Sequence, residues 1–271
     1  MDIVELLKVI ALAVFQGIAE FLPISSSGHL ALLGNLLNIN PEANFVLAVI
    51  LHMGTLTAII AFYFKDIITI IFKWQWSIIW RLVVATIPVG IIGVVIKLLD
   101  PESQLFNNLY LVAICFFVTA VMLFSLKKEK LNASSNTEIQ SLPLKKVLFV
   151  GIMQAVAILP GISRSGSTIF GGLKSGLSDK ESAKFSFLLG AAAIGGASLL
   201  EIADIFKQAE TLNLNSHALI NLFAGFAVSG VVGYFALKIL LKALGKGKIE
   251  YFSYYLFVMS LITLLIAIFH F

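Results

Sequence analysis

The chain has 271 residues, of which 59% are apolar and 13% charged, with a net charge of +4 and a mean hydropathy of +0.98. Soluble domains are about half apolar and about a quarter charged, so a water-soluble globule would leave apolar surface with nothing to cover it. The composition excludes that class and predicts an integral membrane protein. The single cysteine, Cys115, excludes an intrachain disulfide. The first thirty residues do not read as a cleaved signal, because a polar cluster falls where a small-residue cleavage site would sit.

A helix crossing the bilayer core needs roughly 20 mostly apolar residues. The first apolar run, Val9 to Leu22, has 14 and meets Pro23; the next, Leu30 to Leu37, has eight. Neither spans alone, and the pair predicts a re-entrant hairpin. Non-helical backbone at that depth is tolerated where it is buried in protein or lines a wet cavity. The alternative, one kinked helix from Val4 to Leu37, would put Ser25 to His29 against lipid. Spans follow at Phe45 to Phe64, Ile78 to Leu99 (with a kink at Pro88) and Leu109 to Leu126. A polar connector, residues 127–146, then joins a second half of the same pattern. It reads as a solvated loop with affinity for anionic lipid. Val147 to Leu159 is again short and ends at Pro160, Ser167 to Leu177 completes a second hairpin, and spans follow near Phe185 to Ile205, Leu219 to Leu241 and Phe252 to Phe269.

The expected fold is therefore an all-α polytopic membrane protein. It forms one membrane domain over 1–271, with halves 1–126 and 147–271 each made of a re-entrant hairpin plus three spans. Three spans is an odd number, so the halves sit upside down relative to each other, as in inverted-repeat transporters. Of the 19 lysines and arginines, fifteen fall on one side of this topology, among them Lys65, Arg81, Lys145, Lys184 and Lys238. Lys8, Lys97 and Lys207 fall on the other, and Arg164 lies in the second hairpin. The positive-inside bias predicts a cytoplasmic basic side, with both termini and the first hairpin facing outward.

Two polar interruptions line up without a gap. Q-G-I-A-E-F-L-P-I-S-S-S-G-H-L spans residues 16 to 30, and Q-A-V-A-I-L-P-G-I-S-R-S-G-S-T spans 154 to 168. Gln16 and Glu20 are four apart and share a helix face. A carboxylate at membrane depth is expensive and faces a wet cavity or a partner. Glu20 reads either as a structural partner of Arg164 or as a proton acceptor or metal ligand, and its oxygens suit magnesium or calcium. Ser25, Ser26 and Ser27 precede a helix expected to start around Gly28. One of them is an N-cap, and three with Gly28 form an anion cradle at the positive helix end. Ser163, Arg164, Ser165, Ser167 and Thr168 repeat the cradle on the second hairpin, and Arg164 adds a planar fork matched to phosphate oxygens. So many donors predict phosphate or diphosphate. His29 is either satisfied by a backbone carbonyl or, beside serines and a carboxylate, moves a proton. His52 either lines the cavity or is bland. Gly190, Gly195 and Gly196 read as sites of close helix packing. No Walker loop, H-E-x-x-H or G-x-S-x-G motif occurs, and nothing suggests a nucleic-acid module.

Q-G-I-A-E-F-L-P-I-S-S-S-G-H and P-G-I-S-R-S-G at 160 to 166 resemble the two signature regions of the bacitracin-resistance-type undecaprenyl-diphosphate phosphatases. The likeness covers the length of the chain, the doubled pattern and both motifs in order. It implies a bacterial plasma-membrane enzyme that removes the terminal phosphate of undecaprenyl diphosphate, regenerating the lipid carrier of cell-wall synthesis and conferring bacitracin resistance. It also implies a divalent cation, Mg2+ or Ca2+, and a site open to the outer face. Carried over by position, the family's acidic pair falls on Gln16 and Glu20, its serine–histidine stretch on Ser25, Ser26 and His29, and its arginine motif on Ser163, Arg164 and Thr168. The first acidic position is often Glu in relatives and is Gln16 here, which leaves Glu20 as the one carboxylate for a metal. The expected mechanism has Ser26 as nucleophile and His29 as general base or acid. Ser25, Ser27, Ser163, Ser165, Thr168 and Gln16 bind substrate, and direct attack by a metal-activated water is the rival. A polyprenyl-phosphate flippase is the alternative from another class, and a homodimer is compatible with the sequence.

Overall fold

A computed structural model describes residues 3–37, 41–99, 108–126, 137–207 and 216–269. Among these the chain is helical throughout: α1 Ile3–Phe21, α2 Ser26–Leu37, α3 Pro41–Phe62, α4 Phe64–Phe72, α5 Trp76–Leu99, α6 Leu109–Ser125, α7 Leu144–Val156, α8 Arg164–Lys174, α9 Asp179–Lys207, α10 Ser216–Leu244 and α11 Tyr251–Phe269. A single 3₁₀ turn, Ile139–Ser141, precedes α7. Five helices carry stretches long and apolar enough to cross a bilayer: Phe45–Phe62, Trp76–Ile96, Asp179–Ala203, His217–Leu244 and Tyr251–Phe269. The apolar α6 has 17 residues, the lower end of the range for a span. This is a multi-pass membrane protein.

Both expected helix breaks are present, and they are built alike. α1 stops at Phe21 before Pro23, and the side chain of Ser25 accepts the Gly28 N–H at 3.3 Å. α8 begins at Arg164, where the side chain of Ser163 accepts the Gly166 N–H at 3.1 Å. The caps sit at matching positions of the two motifs, and each satisfies an N–H that a helix start leaves open. Ser25 adopts φ +66°, a left-handed conformation that turns the chain sharply into α2. One kinked helix across residues 4–37 is thereby excluded.

Several boundaries differ from the sequence reading. α1 begins at Ile3, not Val9, because the helix continues past the apolar run with Glu5 in its first turn, where a carboxylate meets the positive helix end. α2 starts at Ser26, not near Gly28: Ser25 is the cap, and Ser26 and Ser27 belong to the first turn. The span expected to reach Phe64 breaks at Tyr63 into the short α4, which exposes Phe64, Ile68, Ile71 and Phe72. The described part of the connector is docked and not a solvated loop. Ile139 and Leu142 are fully buried, Arg81 Nε donates to the Leu142 carbonyl at 2.8 Å, and the Ile139 N–H reaches Glu181 at 3.1 Å. Three of its basic residues, Lys127, Lys128 and Lys130, lie outside the described residues, as do Asp2, Asp100, Glu102 and Glu210.

The packing crosses between halves. α1 lies along α10, α7 along α5, α6 along α11, and α9 packs on α3 and α8. Phe21, Phe116, Ile169, Phe185, Phe187 and Leu189 are fully buried in the shared core. The two breaks touch at its centre. Ser165 Oγ donates to the Leu22 carbonyl at 3.3 Å, and Thr119 of α6 clamps the second break, donating to the Gly161 carbonyl at 3.0 Å and accepting the Ser163 N–H at 3.3 Å. A Cβ on Gly28 would stand 2.7 Å from Gly161 Cα and 2.8 Å from Gly161 N. Backbone cannot step aside as a side-chain tip can. Gly28→Ala is therefore expected to destabilise the protein by about 1–3 kcal/mol, in the range of core overpacking, read as a lowered melting temperature in detergent. An unchanged melting curve would show that the two breaks do not press on one another.

Candidate active site

The break contact brings side chains from four elements onto one carboxylate. Glu20, near the C-terminus of α1, is 8% exposed. Gln16 Nε2, one turn earlier, donates to Glu20 Oε2 at 3.1 Å, and Ser26 Oγ, in the first turn of α2, donates to the same oxygen at 3.1 Å. Arg164 Nη2, from the first residue of α8, donates to Glu20 Oε1 as a direct ion pair. His52, in α3, points Nε2 at Glu20 Oε2 across 3.8 Å, and its Nδ1 is hydrogen-bonded to the Ala48 carbonyl at 2.8 Å. Residues 144 positions apart in the chain thus form one polar centre inside an apolar core.

Two groups in this centre have no protein partner. Arg164 Nη1 and Gln16 Oε1 are buried and make no hydrogen bond within the chain. An unsatisfied buried donor or acceptor costs about 1–3 kcal/mol, and more when charged. A donor left open on a cation and an acceptor left open beside a carboxylate match a phosphoryl oxygen and a hard cation, respectively. The oxygen donors Glu20 and Gln16 Oε1 are the right chemistry for Mg2+ or Ca2+. Among the described residues no group of three or more His, Cys, Asp and Glu side chains gathers. A cation here would keep much of its shell for water and substrate oxygens, as magnesium commonly does.

The other expected site residues are close by but turned to other tasks. His29 donates from Nδ1 to the Ser25 carbonyl at 2.8 Å, which leaves Nε2 to accept the Tyr255 hydroxyl at 2.6 Å. The ring of Tyr255 stacks on it at 5.7 Å, and Phe15 and Phe116 close the cage at 5.3 and 4.9 Å. Both imidazole nitrogens are engaged, so neither is turned to Ser26, the hydroxyl the ring was expected to activate. Ser26 is bonded to Glu20 instead. Ser25 Oγ lies 3.4 Å from Ser27 Oγ, and Ser163 Oγ lies 3.2 Å from Ser165 Oγ. Thr168 Oγ1 donates to the Arg164 carbonyl at 2.8 Å and lies 2.6 Å from Ser186 Oγ, which fixes the helix start that carries the arginine.

Sequence reasoning missed Tyr255, Ser186 and the task of Gly190. A Cβ at Gly190 would coincide with the Arg164 guanidinium, so this glycine makes room for a side chain. Gly196 has nothing within 4 Å and Gly195 only Leu56, so neither brings helices together. No local signal separates Gly190 from these two.

The family model described as "Bacitracin resistance protein BacA" matches residues 9–262. The chain belongs to the BacA family. That match takes in both breaks and every residue around Glu20. BacA-family membership agrees with curated relatives that align over nearly the whole chain. The chain is 37% identical over 286 residues to the undecaprenyl-diphosphatase of Methanosphaera stadtmanae, covering 97% of this chain and 99% of the relative. It is 38% identical over 266 residues to that of Halothermothrix orenii and 40% identical over 262 to that of Rhodopirellula baltica. Each of these two alignments covers 97% of this chain and 98% of the relative.

Proposed function

We propose that the chain hydrolyses undecaprenyl diphosphate to the monophosphate and inorganic phosphate, returning the lipid carrier to cell-wall synthesis. One observation carries the reading. Glu20 of the first motif, Arg164 of the second and the Ser26 hydroxyl meet in one buried cluster with an unpaired guanidinium N–H. The relatives are named for a hydrolase, and a flippase is not favoured.

The topology we infer is two inverted halves, each with a re-entrant helix pair. The exchange of partners supports it: α1 lies on α10 and α7 on α5, so each half's first arm rests on the corresponding span of the other. The lysine and arginine bias argues for termini outside, and the family resemblance implies a site open to the outer face.

In the mechanism, Arg164 Nη1 takes a terminal phosphoryl oxygen while the open N–H groups at the starts of α2 and α8 face the rest of the diphosphate. Ser26 Oγ gives its proton to Glu20 Oε2 and bonds to the terminal phosphorus. The bond from that phosphorus to the bridging oxygen breaks, and its electrons leave on the prenyl monophosphate. A water oxygen then bonds to the phosphorus as the Oγ–phosphorus bond breaks; Glu20 returns the proton to Oγ, and both protons of the water leave with the inorganic phosphate. A divalent cation at Glu20 and Gln16 Oε1 would offset charge on the diphosphate oxygens. His29, held between Ser25 and Tyr255, positions the strained turn that presents Ser26.

Phosphate release by purified protein in detergent, with and without a chelator, on short and long prenyl diphosphates tests the activity. Transport without release would favour the flippase. Ser26→Ala is expected to lower kcat by about a thousandfold or more, in the range for lost nucleophiles, and to abolish a phosphoserine trapped on rapid acid quench. Full activity in Ser26→Ala would leave water as the attacking group.

A further inference from the structure

His52 and Glu20 face each other with like polarity. The Nδ1 hydrogen is committed to the Ala48 carbonyl at 2.8 Å, which places the lone pair of the neutral ring on Nε2. Nε2 lies 3.8 Å from Glu20 Oε2, a carboxylate oxygen. The gap is longer than a direct hydrogen bond, which falls between about 2.7 and 3.2 Å. A cation placed between these two electron-rich atoms would be within reach of both. A backbone carbonyl behind the distal nitrogen is the usual support of a metal-ligating histidine, fixing its tautomer and ring orientation.

Two further observations favour a metal ion over a bare proton. The His52 side chain is 34% exposed against 7% for Glu20, so water can reach the imidazole and complete an ion's shell. Gln16 Oε1, on the residue bonded to the same carboxylate oxygen, is a buried acceptor with no partner. We propose that His52 Nε2 ligates the divalent cation together with Glu20. The inference rests on the cation assigned under the proposed function and adds a nitrogen donor to its oxygen set. An imidazole ligand tilts a site from magnesium and calcium toward first-row transition metals such as iron, nickel and zinc.

The test uses Mn2+ as probe on the purified full chain without substrate, prepared with a tag that contains no histidine. Pulsed electron paramagnetic resonance reads directly bound imidazole nitrogen as a 14N coupling on the manganese. The coupling is expected in the unaltered protein, absent in His52→Gln and retained in His217→Gln. The same titrations are expected to show Mn2+ affinity reduced about 10-fold or more in His52→Gln, with Mg2+ affinity changed less. Bound Mn2+ lacking a nitrogen coupling overturns the role of His52 and leaves the cation at Glu20 standing. A coupling that survives in His52→Gln assigns it to another histidine and likewise overturns the proposal. No Mn2+ binding at all overturns both the cation and its ligand. The unaltered protein carries the first and the last of these outcomes, so they hold even if His52→Gln folds poorly.

Discussion

Glu20→Gln is expected to release phosphate at least about a thousandfold more slowly than the parent protein. Gln16, Ser26, Arg164 and His52 all converge on this one carboxylate. The amide keeps the shape but cannot take the Ser26 proton, and general-base loss alone accounts for about 10²–10⁴-fold. The same change should lower stability. Arg164 and Glu20 side chains are only 17% and 7% exposed, and removing one partner of a buried ion pair costs about 3–5 kcal/mol. The two effects separate in the double variant Glu20→Gln with Arg164→Gln, which removes both charges. Its melting temperature should rise back toward that of the parent while its activity stays lost. A Glu20→Gln enzyme with a kcat near that of the parent would remove Glu20 from the centre of the mechanism, and a double variant that melts no higher than Glu20→Gln would overturn the stability role of the ion pair.

Gly190→Ala should cost about a hundredfold in kcat/KM and also lower the melting temperature, because it breaks the buried ion pair of Arg164 with Glu20. In a helix interior, alanine is favoured over glycine by about 1 kcal/mol, so on propensity alone this is a stabilising change. The added methyl would occupy the place of the Arg164 guanidinium. That group is the far end of a flexible side chain, so it can swing away without a backbone shift. Its ion pair with Glu20 and its aim at the phosphate would go with it, and loss of one preorganised donor is worth about 10²–10³ in rate. Gly196→Ala, six residues along the same helix with nothing within 4 Å, is the matched control and should leave the kinetics unchanged.

The breaks and the polar cluster were legible because they contradict their surroundings. Pro23, Gly28 and three serines in a hydrophobic run admit few readings, and the repeated Gln, Ser and Gly positions pointed to two matching caps. Glu20 and Arg164 were readable as partners because each is too costly to stand alone at membrane depth. His29 was harder. Sequence placed it beside the serines, but its ring nitrogens are settled by a carbonyl four residues back and a tyrosine 226 residues on. Gly190 reads like any small residue in a packed helix until the reach of Arg164 is known. Ile139 and Leu142 looked like parts of a polar loop because their burial depends on Arg81 and Glu181, which are far away in sequence.

The crossed packing has a consequence for how the protein is made. Glu20 is synthesised 144 residues before its counter-ion, a delay of roughly 7 to 30 s at about 5–20 residues per second of translation. During that interval α1 carries an uncompensated carboxylate, worth about 2.5–3.5 kcal/mol against insertion at the bilayer centre. The span it will rest on, α10, does not yet exist. The nascent amino-terminal half must wait, shallow or sheltered by the insertion machinery, and its first helix settles only when the ribosome has delivered most of the carboxy-terminal half.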